Sequence, residues 1–222
     1  MNKVAVLFLF FFVLTSTCKA QSKQPKPSKF FIAAGYGLAG SFSVRSYTEV
    51  PPFSTVKYRE FFKKNFIGAA LNTSIGYRLN KKYELQAGMH YQSFNRHAEA
   101  ADTLVGVVVS VNTNIQDRNY IYFVGLHRNF EATKHILSPG IGLYVIDIRK
   151  QSIEYGYGIP NFVSVHESQK GDLSEAGVFA DLSYEYKFQP KVNLGFKLQL
   201  YYTATASYFE SFSLFPFVKI KI

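Results

Sequence analysis

The sequence of 222 residues has no tryptophan, and its single cysteine is Cys18. Cys18 falls in a segment that we predict is removed from the mature chain, so we expect neither a disulfide nor a thiolate metal site. The sequence also lacks a hydrophobic run long enough for a transmembrane helix. Its clearest apolar run, 4–14, has 11 residues, whereas a spanning helix needs about 20.

The first 20 residues have the pattern of a secretory signal peptide. Lys3 supplies the charged start, 4–14 the apolar centre, and Ala20 a small residue at the cleavage position. A lipoprotein in which Cys18 carries the lipid is the alternative, but Thr15 stands where such sites usually have leucine. We therefore predict a signal peptide at 1–20, cleaved after Ala20, a flexible polar periplasmic leader at 21–29, and one domain at 30–222.

Aromatic residues are abundant, with 16 Tyr and 22 Phe, and they occur in alternation with small or polar residues. The segment 67–92 shows this most clearly, because apolar residues recur at every second position on both sides of Asn80-Lys81-Lys82. A period of two is typical of a β-strand. Pairing Leu79 with Tyr83 keeps all the apolar residues on one face, so 67–92 is predicted to form a hairpin.

The same alternation predicts eight strands in all. The connections between them alternate between long and short, which is the pattern of an up-and-down barrel. Three details stay open or conflict with this interpretation. The stretch 104–111 either extends its neighbouring strands or forms an additional pair, and the strand at 120–130 places either Tyr122 or Ile121 outward. Pro139 and Pro216 lie within strands, so we expect a bulge or a local loss of pairing at each.

Charge distinguishes a membrane barrel from a soluble one. On the seven strands with a clear phase, the apolar face has no charged residue, which suits a lipid-facing surface. The opposite face has five cations and four acids: Arg78, Lys187, Lys197, Lys219, Lys221, Glu84, Glu175, Asp181 and Glu185. Because unpaired charges are costly in a narrow interior, we expect salt bridges among Arg78, Glu84, Asp181, Glu185, Lys187 and Lys197. The fold class predicted is therefore an all-β, eight-stranded antiparallel transmembrane barrel.

Several sequence features resemble the small outer-membrane β-barrel family of Gram-negative bacteria, including porin-like and OmpA-like barrel domains. They are the segment ending Ala20-Gln21, the Gly35-Tyr36 and Gly76-Tyr77 steps, the turn RLNKKYEL and the final strand FPFVKIKI. The resemblance implies a location in the cell outer membrane. It also implies membrane lipids, lipopolysaccharide and the barrel-assembly machinery as partners.

The sequence predicts no specific activity. We expect no cofactor, no metal site, no nucleic-acid partner and no enzymatic function, and we expect a closed, charge-filled lumen with function in the loops or in partner contacts. The alternatives are an accessory subunit of a secretion system and a lipid A-modifying enzyme. Ser164 with His166, or Ser93 with His97, would be the catalytic pairs of such an enzyme. The basic residues in 43–65 are typical of an ordinary charged loop, which we favour; if this first loop lies above the outer leaflet, lipopolysaccharide is the alternative partner.

Overall fold

The computed structural model describes residues 29–42, 66–104, 107–155, 163–167, 174–204 and 207–222. The predicted signal peptide at 1–20 and the leader up to residue 28 lie outside this part of the chain. Among the described residues, no helix is long and apolar enough to cross a membrane. The chain forms ten strands: β1 Phe30–Ser41, β2 Ile67–Arg78, β3 Tyr83–Leu104, β4 Val107–Arg128, β5 Phe130–Ala132, β6 His135–Tyr155, β7 Val163–Glu167, β8 Ser174–Lys187, β9 Val192–Thr203 and β10 Tyr208–Lys221.

Eight of these strands form a closed antiparallel barrel in the order β4-β3-β2-β1-β10-β9-β8-β6, and pairing of β4 with β6 completes the ring. Successive barrel strands are neighbours, so the predicted up-and-down topology is confirmed. The two short strands are additions to β6: β5 pairs with its start and β7 with its end. Closure leaves the barrel without an unpaired edge, which a sheet in lipid requires.

Side chains alternate between the lumen and the outer surface as the sequence predicted. The open phase of β4 is settled by burial, since Tyr122 is 54% exposed and Ile121 is fully buried. Six aromatic residues on the inward faces of their strands are buried: Phe31, Tyr144, Phe179, Tyr201, Phe215 and Phe217. The outer surface is a belt of exposed large apolar residues, as expected for a face that contacts lipid.

The first hairpin turn has the predicted register. Arg78 pairs with Glu84, and the Leu79 amide donates to the Tyr83 carbonyl at 3.0 Å. The Asn80 side-chain oxygen accepts from the amides of Lys82 and Tyr83 at 2.8 and 3.0 Å. This local hydrogen bonding is the reason that asparagine favours tight turns. The short turns and the described chain ends lie together at one rim, which we name the turn end; the opposite rim is the loop end.

At the loop end, β3 and β4 continue well beyond their other neighbours. The pairing of β4 with β6 ends at Asp117–Lys150, whereas β3 and β4 stay paired from Asn95–Gln116 to Leu104–Val107. These ten pairs form a two-stranded extension of about 34 Å at 3.4 Å per residue. We name it the outer ribbon. The described residues of the stretch 104–111, which are 104 and 107–111, therefore extend their neighbouring strands, and this decides between the two predicted alternatives.

Both prolines interrupt pairing on one side, as predicted, without a bulge. The β1–β10 register lacks the pairs between Gly35–Phe217 and Leu38–Leu214, where Pro216 lies. Pro139 pairs with Leu182 of β8, while its other side faces the break between β4 and β5. A bulge does occur in β10, between Phe209 and Ser211. Each proline is tolerated because its strand stays in register with the neighbour on its other side, which is β9 for Pro216 and β8 for Pro139.

Candidate functional site in the barrel lumen

A chain of ion pairs crosses the lumen near the turn end. The Arg78 guanidinium donates to Glu84 Oε1 from Nε and Nη2, at 3.0 and 2.9 Å. The Lys219 ammonium donates to Glu84 Oε2 at 2.6 Å and to Glu185 Oε1 at 2.9 Å. Asn193 Nδ2 donates to the other oxygen of Glu185 at 2.6 Å. These contacts connect β2, β3, β10, β8 and β9 in one layer.

The burial of this layer explains why each charge has partners. Lys219, Glu84 and Glu185 are each about 1% exposed. Removing such ions from water costs several kcal/mol each, which only close pairing and additional hydrogen bonds can offset. Lys219 pairs with two carboxylates, and Glu84 pairs with two cations. Positive and negative side chains therefore alternate across the lumen, and each of them contacts at least one opposite charge.

A second layer lies one step further from the turn end. Lys197 Nζ donates to Gln86 Oε1 at 3.0 Å and lies 3.5 Å from Asp181 Oδ2. His127 Nε2 lies 2.9 Å from the same carboxylate oxygen, and both side chains are fully buried. Lys197 therefore reaches from β9 to β3, strands that are not neighbours in the sheet. Like Lys219, it fills the lumen between them.

A third layer contains an arrangement of serine, histidine and amide. His90 Nε2 lies 2.8 Å from Ser213 Oγ, and Asn72 Nδ2 lies 3.1 Å from His90 Nδ1. An amide nitrogen can only donate, so Nδ1 accepts, the proton is on Nε2, and the imidazole donates to Ser213. This is the wrong tautomer for a base that would activate the serine. His90 and Ser213 are also fully buried, so the arrangement holds the lumen together. His90 and Asn72 are also directly opposed in the β2–β3 register, which brings their side chains together inside the lumen.

Towards the loop end, the polar layers give way to an apolar cluster. Its members are buried residues of four strands: Ile121, Phe123, Tyr144, Ile146, Ile148, Phe179 and Tyr201. The Phe179 ring packs edge-on against Phe123, and the Tyr144 hydroxyl bonds to Thr203 at 2.7 Å. Gly125 and Gly142 are paired beside Phe179, and a Cβ on either would lie 2.5 Å from its ring. The two glycines therefore provide the space for this aromatic ring.

The structure places the six predicted salt-bridge residues in two regions. Arg78, Glu84, Asp181, Glu185 and Lys197 belong to the layers described above. Lys187 differs, because it lies at the turn-end rim, where its ammonium is 3.3 Å from Glu131 and donates to the Thr133 carbonyl at 3.1 Å. β8 ends at Lys187, so its side chain reaches water instead of the lumen.

Sequence reasoning missed the residues that bridge across the lumen. Lys219 was expected to point inward but was not assigned a partner, and it joins Glu84 to Glu185. Glu185 opposes Gly195 and is therefore a diagonal neighbour of Lys197, yet the Lys197 ammonium pairs with Asp181. His127 was on a strand of open phase. Only the phase of β4 that turns Ile121 inward also turns His127 inward, where it reaches Asp181. The sequence did not decide between the two phases, so this contact could not be predicted.

The catalytic pairs considered from the sequence are only partly described. Ser164 and His166 lie on β7, paired with Glu154 and Ser152 of β6, but their side chains lie outside the described part, as does that of His97. The Ser93 hydroxyl accepts from Gln116 Nε2 at 3.0 Å. Within the described residues, no group of three or more His, Cys, Asp or Glu side chains could hold a metal ion.

Comparisons with known proteins agree with this architecture. No protein-family model matches the sequence, and the comparison with curated proteins finds no match. Among solved structures, the Neisserial surface protein A (NspA) is similar, with 15% identity, a TM-score of 0.52, and coverage of 89% of this chain and 100% of that chain.

Two further solved structures are similar at lower scores. One is Ail, the attachment invasion locus protein of Yersinia pestis, in complex with the heparin analogue sucrose octasulfate. It shares 10% identity with this chain at a TM-score of 0.47, and the match covers 88% of this chain and 99% of the Ail chain. The outer membrane protease OmpT from Escherichia coli shares 8% identity and covers 91% and 99%, with a TM-score of 0.43. At these identities the likeness concerns the fold and no activity. The chain thus has the fold of the small outer-membrane β-barrels of Gram-negative bacteria.

Proposed function

We propose that this protein is an integral outer-membrane barrel whose lumen is closed by its own side chains and which acts through its loop end. The bridge from Glu84 through Lys219 to Glu185 supports this proposal most directly. An eight-stranded barrel has an interior just wide enough for side chains to fill. Here three polar layers and an aromatic cluster occupy it, so a solute path would have to break buried ion pairs.

The outer ribbon supports a role at the loop end. Its backbone pairing is continuous over ten residue pairs, so it presents a defined surface instead of a bare loop. Segments that project from a rigid scaffold are common sites of binding. The ribbon therefore supplies a platform for a partner protein or for the outer leaflet. The first loop, 43–65, lies outside the described residues, and its contact with lipopolysaccharide stays a prediction.

Site-specific photo-crosslinking in cells tests the role of the loop end. A photoreactive residue at Asn95 or Asn114, both exposed on the outer ribbon, should give a discrete adduct with protein or lipopolysaccharide. The matched control is the same residue at Asn80, which is exposed in a turn at the other rim. Adducts at Asn80 but none on the ribbon would contradict the proposal.

Location in the outer membrane is tested separately. We expect the mature chain, beginning at Gln21, to stay in the membrane pellet through alkaline carbonate extraction, since the apolar belt surrounds the barrel. The N-terminal sequence of the pelleted protein then checks cleavage after Ala20. Release into the soluble fraction would contradict an integral barrel. A mature chain that begins at a lipid-modified Cys18 would contradict cleavage after Ala20 and would make the protein a lipoprotein.

A further inference from the structure

The turn end of the barrel is strongly and asymmetrically basic. The described residues of this rim, 29, 78–84, 128–135, 187–191 and 221–222, include nine cations and one exposed acidic side chain, Glu131. We name these cations the basic rim: Lys29, Arg78, Lys81, Lys82, Arg128, Lys134, Lys187, Lys191 and Lys221. Within the described part of the chain, only Arg78 and Lys187 of the nine form a salt bridge.

Backbone hydrogen bonds hold these cations next to one another. The Lys187 amide donates to the Lys134 carbonyl at 2.8 Å, and the Lys221 amide donates to the Lys191 carbonyl at 2.8 Å. The Arg78 amide likewise donates to the Lys29 carbonyl at 2.7 Å. Like charges on adjacent strand ends repel one another and are destabilising. An anionic partner bound at this rim would be attracted to these cations and would offset the repulsion among them.

An apolar groove of about 550 Å³ opens on the outer surface directly above part of this rim. It lies across β1, β10, β9 and β8, and its lining includes Tyr36, Phe196, Pro216, Tyr184 and Tyr186. The groove coincides with the interrupted pairing between β1 and β10 at Pro216. Tyr36 lies six residues from the start of β1, which is about 15 Å from the rim for a tilted strand. The groove therefore extends from near the turn end to about the middle of the apolar belt.

The groove changes from apolar to polar in the direction of the rim. His135 Nδ1 lies 2.6 Å from the Tyr184 hydroxyl, and the His135 ring contacts both Tyr184 and Tyr186, with centroids at 5.8 and 5.5 Å. Aromatic residues with polar tips are typical of the membrane–water interface. Lys187 follows Tyr186 in sequence, so the cations come immediately below the tyrosines.

We infer that this groove and the adjoining basic rim bind an anionic phospholipid of the leaflet at the turn end. The acyl chain lies in the groove over Pro216, and the phosphate lies among Lys134, Lys187 and Lys191. The order of the site, apolar and then aromatic and then cationic, matches the order of groups in a lipid. A soluble anionic polymer would use the cations but would leave the groove unexplained.

The absence of tryptophan makes a site-specific test possible. A Tyr36→Trp variant places one fluorophore in the groove, and phospholipids with brominated acyl chains quench it on contact. Tyr122→Trp is the matched control. Tyr122 lies six residues from the turn end of β4, on the outer face, with rim cations nearby but outside the groove. Each variant is reconstituted in vesicles of phosphatidylcholine with increasing phosphatidylglycerol, and one lipid at a time is brominated.

At Tyr36→Trp we expect the anionic lipid to be preferred over the zwitterionic lipid by about fivefold or more, the effect of one well-placed cation near a membrane. At Tyr122→Trp we expect nearly equal quenching. Adding Lys134→Gln, Lys187→Gln and Lys191→Gln should abolish the preference in the groove. Adding Lys81→Gln, Lys82→Gln and Arg128→Gln, which removes as many charges from the other side, should preserve it.

Two results would overturn the inference. An equal preference at both reporters would mean that the rim attracts anionic lipid diffusely and that the groove holds no lipid of its own. No preference at either reporter, together with binding of a soluble anionic glycan that the Lys134, Lys187 and Lys191 variant loses, would assign the rim to a polymer instead. Circular dichroism in the same vesicles verifies that every variant is folded.

Discussion

The Lys219 ammonium lies 2.6 Å from the Glu84 carboxylate, although β10 and β3 are separated by two strands in the sheet. The contact therefore crosses the lumen instead of following the sheet. It links the last strand of the barrel to the first hairpin. Since Lys219 also bonds to Glu185 at 2.9 Å, one side chain holds three parts of the wall together.

Replacing Lys219 should destabilise the barrel strongly. Lys219→Met keeps most of the side-chain volume but leaves Glu185 without its cation, and breaking a buried pair in this way costs about 3–5 kcal/mol. Urea unfolding in phosphatidylcholine vesicles measures the loss. Lys221→Met, at the partly exposed position two residues on, is the control and should change stability by about 0.5 kcal/mol or less.

A second variant separates the ion pair from simple packing. Lys219→Met combined with Glu185→Gln removes both the cation and the charge that it balances. The double variant should recover part of the stability lost by the single one, because the buried carboxylate is no longer unpaired. If the two losses were additive, the bridge would not be the source of the effect.

The apolar belt should be sensitive to charge in a depth-dependent way. Ile141 is 65% exposed on the outer face, six residues from the turn end of β6. Ile141→Arg should cost about 2–4 kcal/mol if this position faces the middle of the bilayer, and Leu79→Arg at the rim about 0–1 kcal/mol. Unfolding in vesicles compares the two. Equal costs would show that the belt does not lie in lipid.

The glycine pair beside Phe179 should not tolerate a methyl group. In Gly125→Ala, the new Cβ would lie 2.5 Å from the end of the Phe179 ring, and overpacking of this kind costs about 1–3 kcal/mol. Phe179→Leu in the same chain should offset part of the loss by shortening the obstructing side chain. A double variant no more stable than Gly125→Ala alone would mean that the glycine is needed for the backbone.

The sequence predicts much of the wall and little of the lumen, for physical reasons. Alternation fixed the faces of seven strands and the register Arg78–Glu84, since a slip by one residue moves every side chain to the other face. It did not decide β4, because Ile121 and Phe123 are as apolar as Tyr122 and Val124. Ile121 and Phe123 are buried because they pack in a cluster with Tyr201 of β9 near the loop end. That packing depends on the tertiary structure and is not encoded in the local alternation.

The partners within the lumen depend on the stagger of the closed barrel. Local pairing correctly places Glu185 opposite Gly195, but it does not show that Lys219 reaches Glu185 from β10. Such a contact depends on how strands separated in sequence are offset around the ring. Lys187 shows the same difficulty for prediction from local pairing. Its position in the alternation is inward, but β8 ends there, so its side chain is partly exposed at the rim.

Planar-bilayer recording of the refolded protein tests the closed lumen most directly. The account predicts no stable conductance, because Lys219 and Lys197 span the lumen in two successive layers and an aromatic cluster fills its loop-end half. Insertion is verified in the same preparation by resistance of the barrel to added protease. Reproducible single-channel steps from inserted protein would contradict the account and would make the protein a small porin.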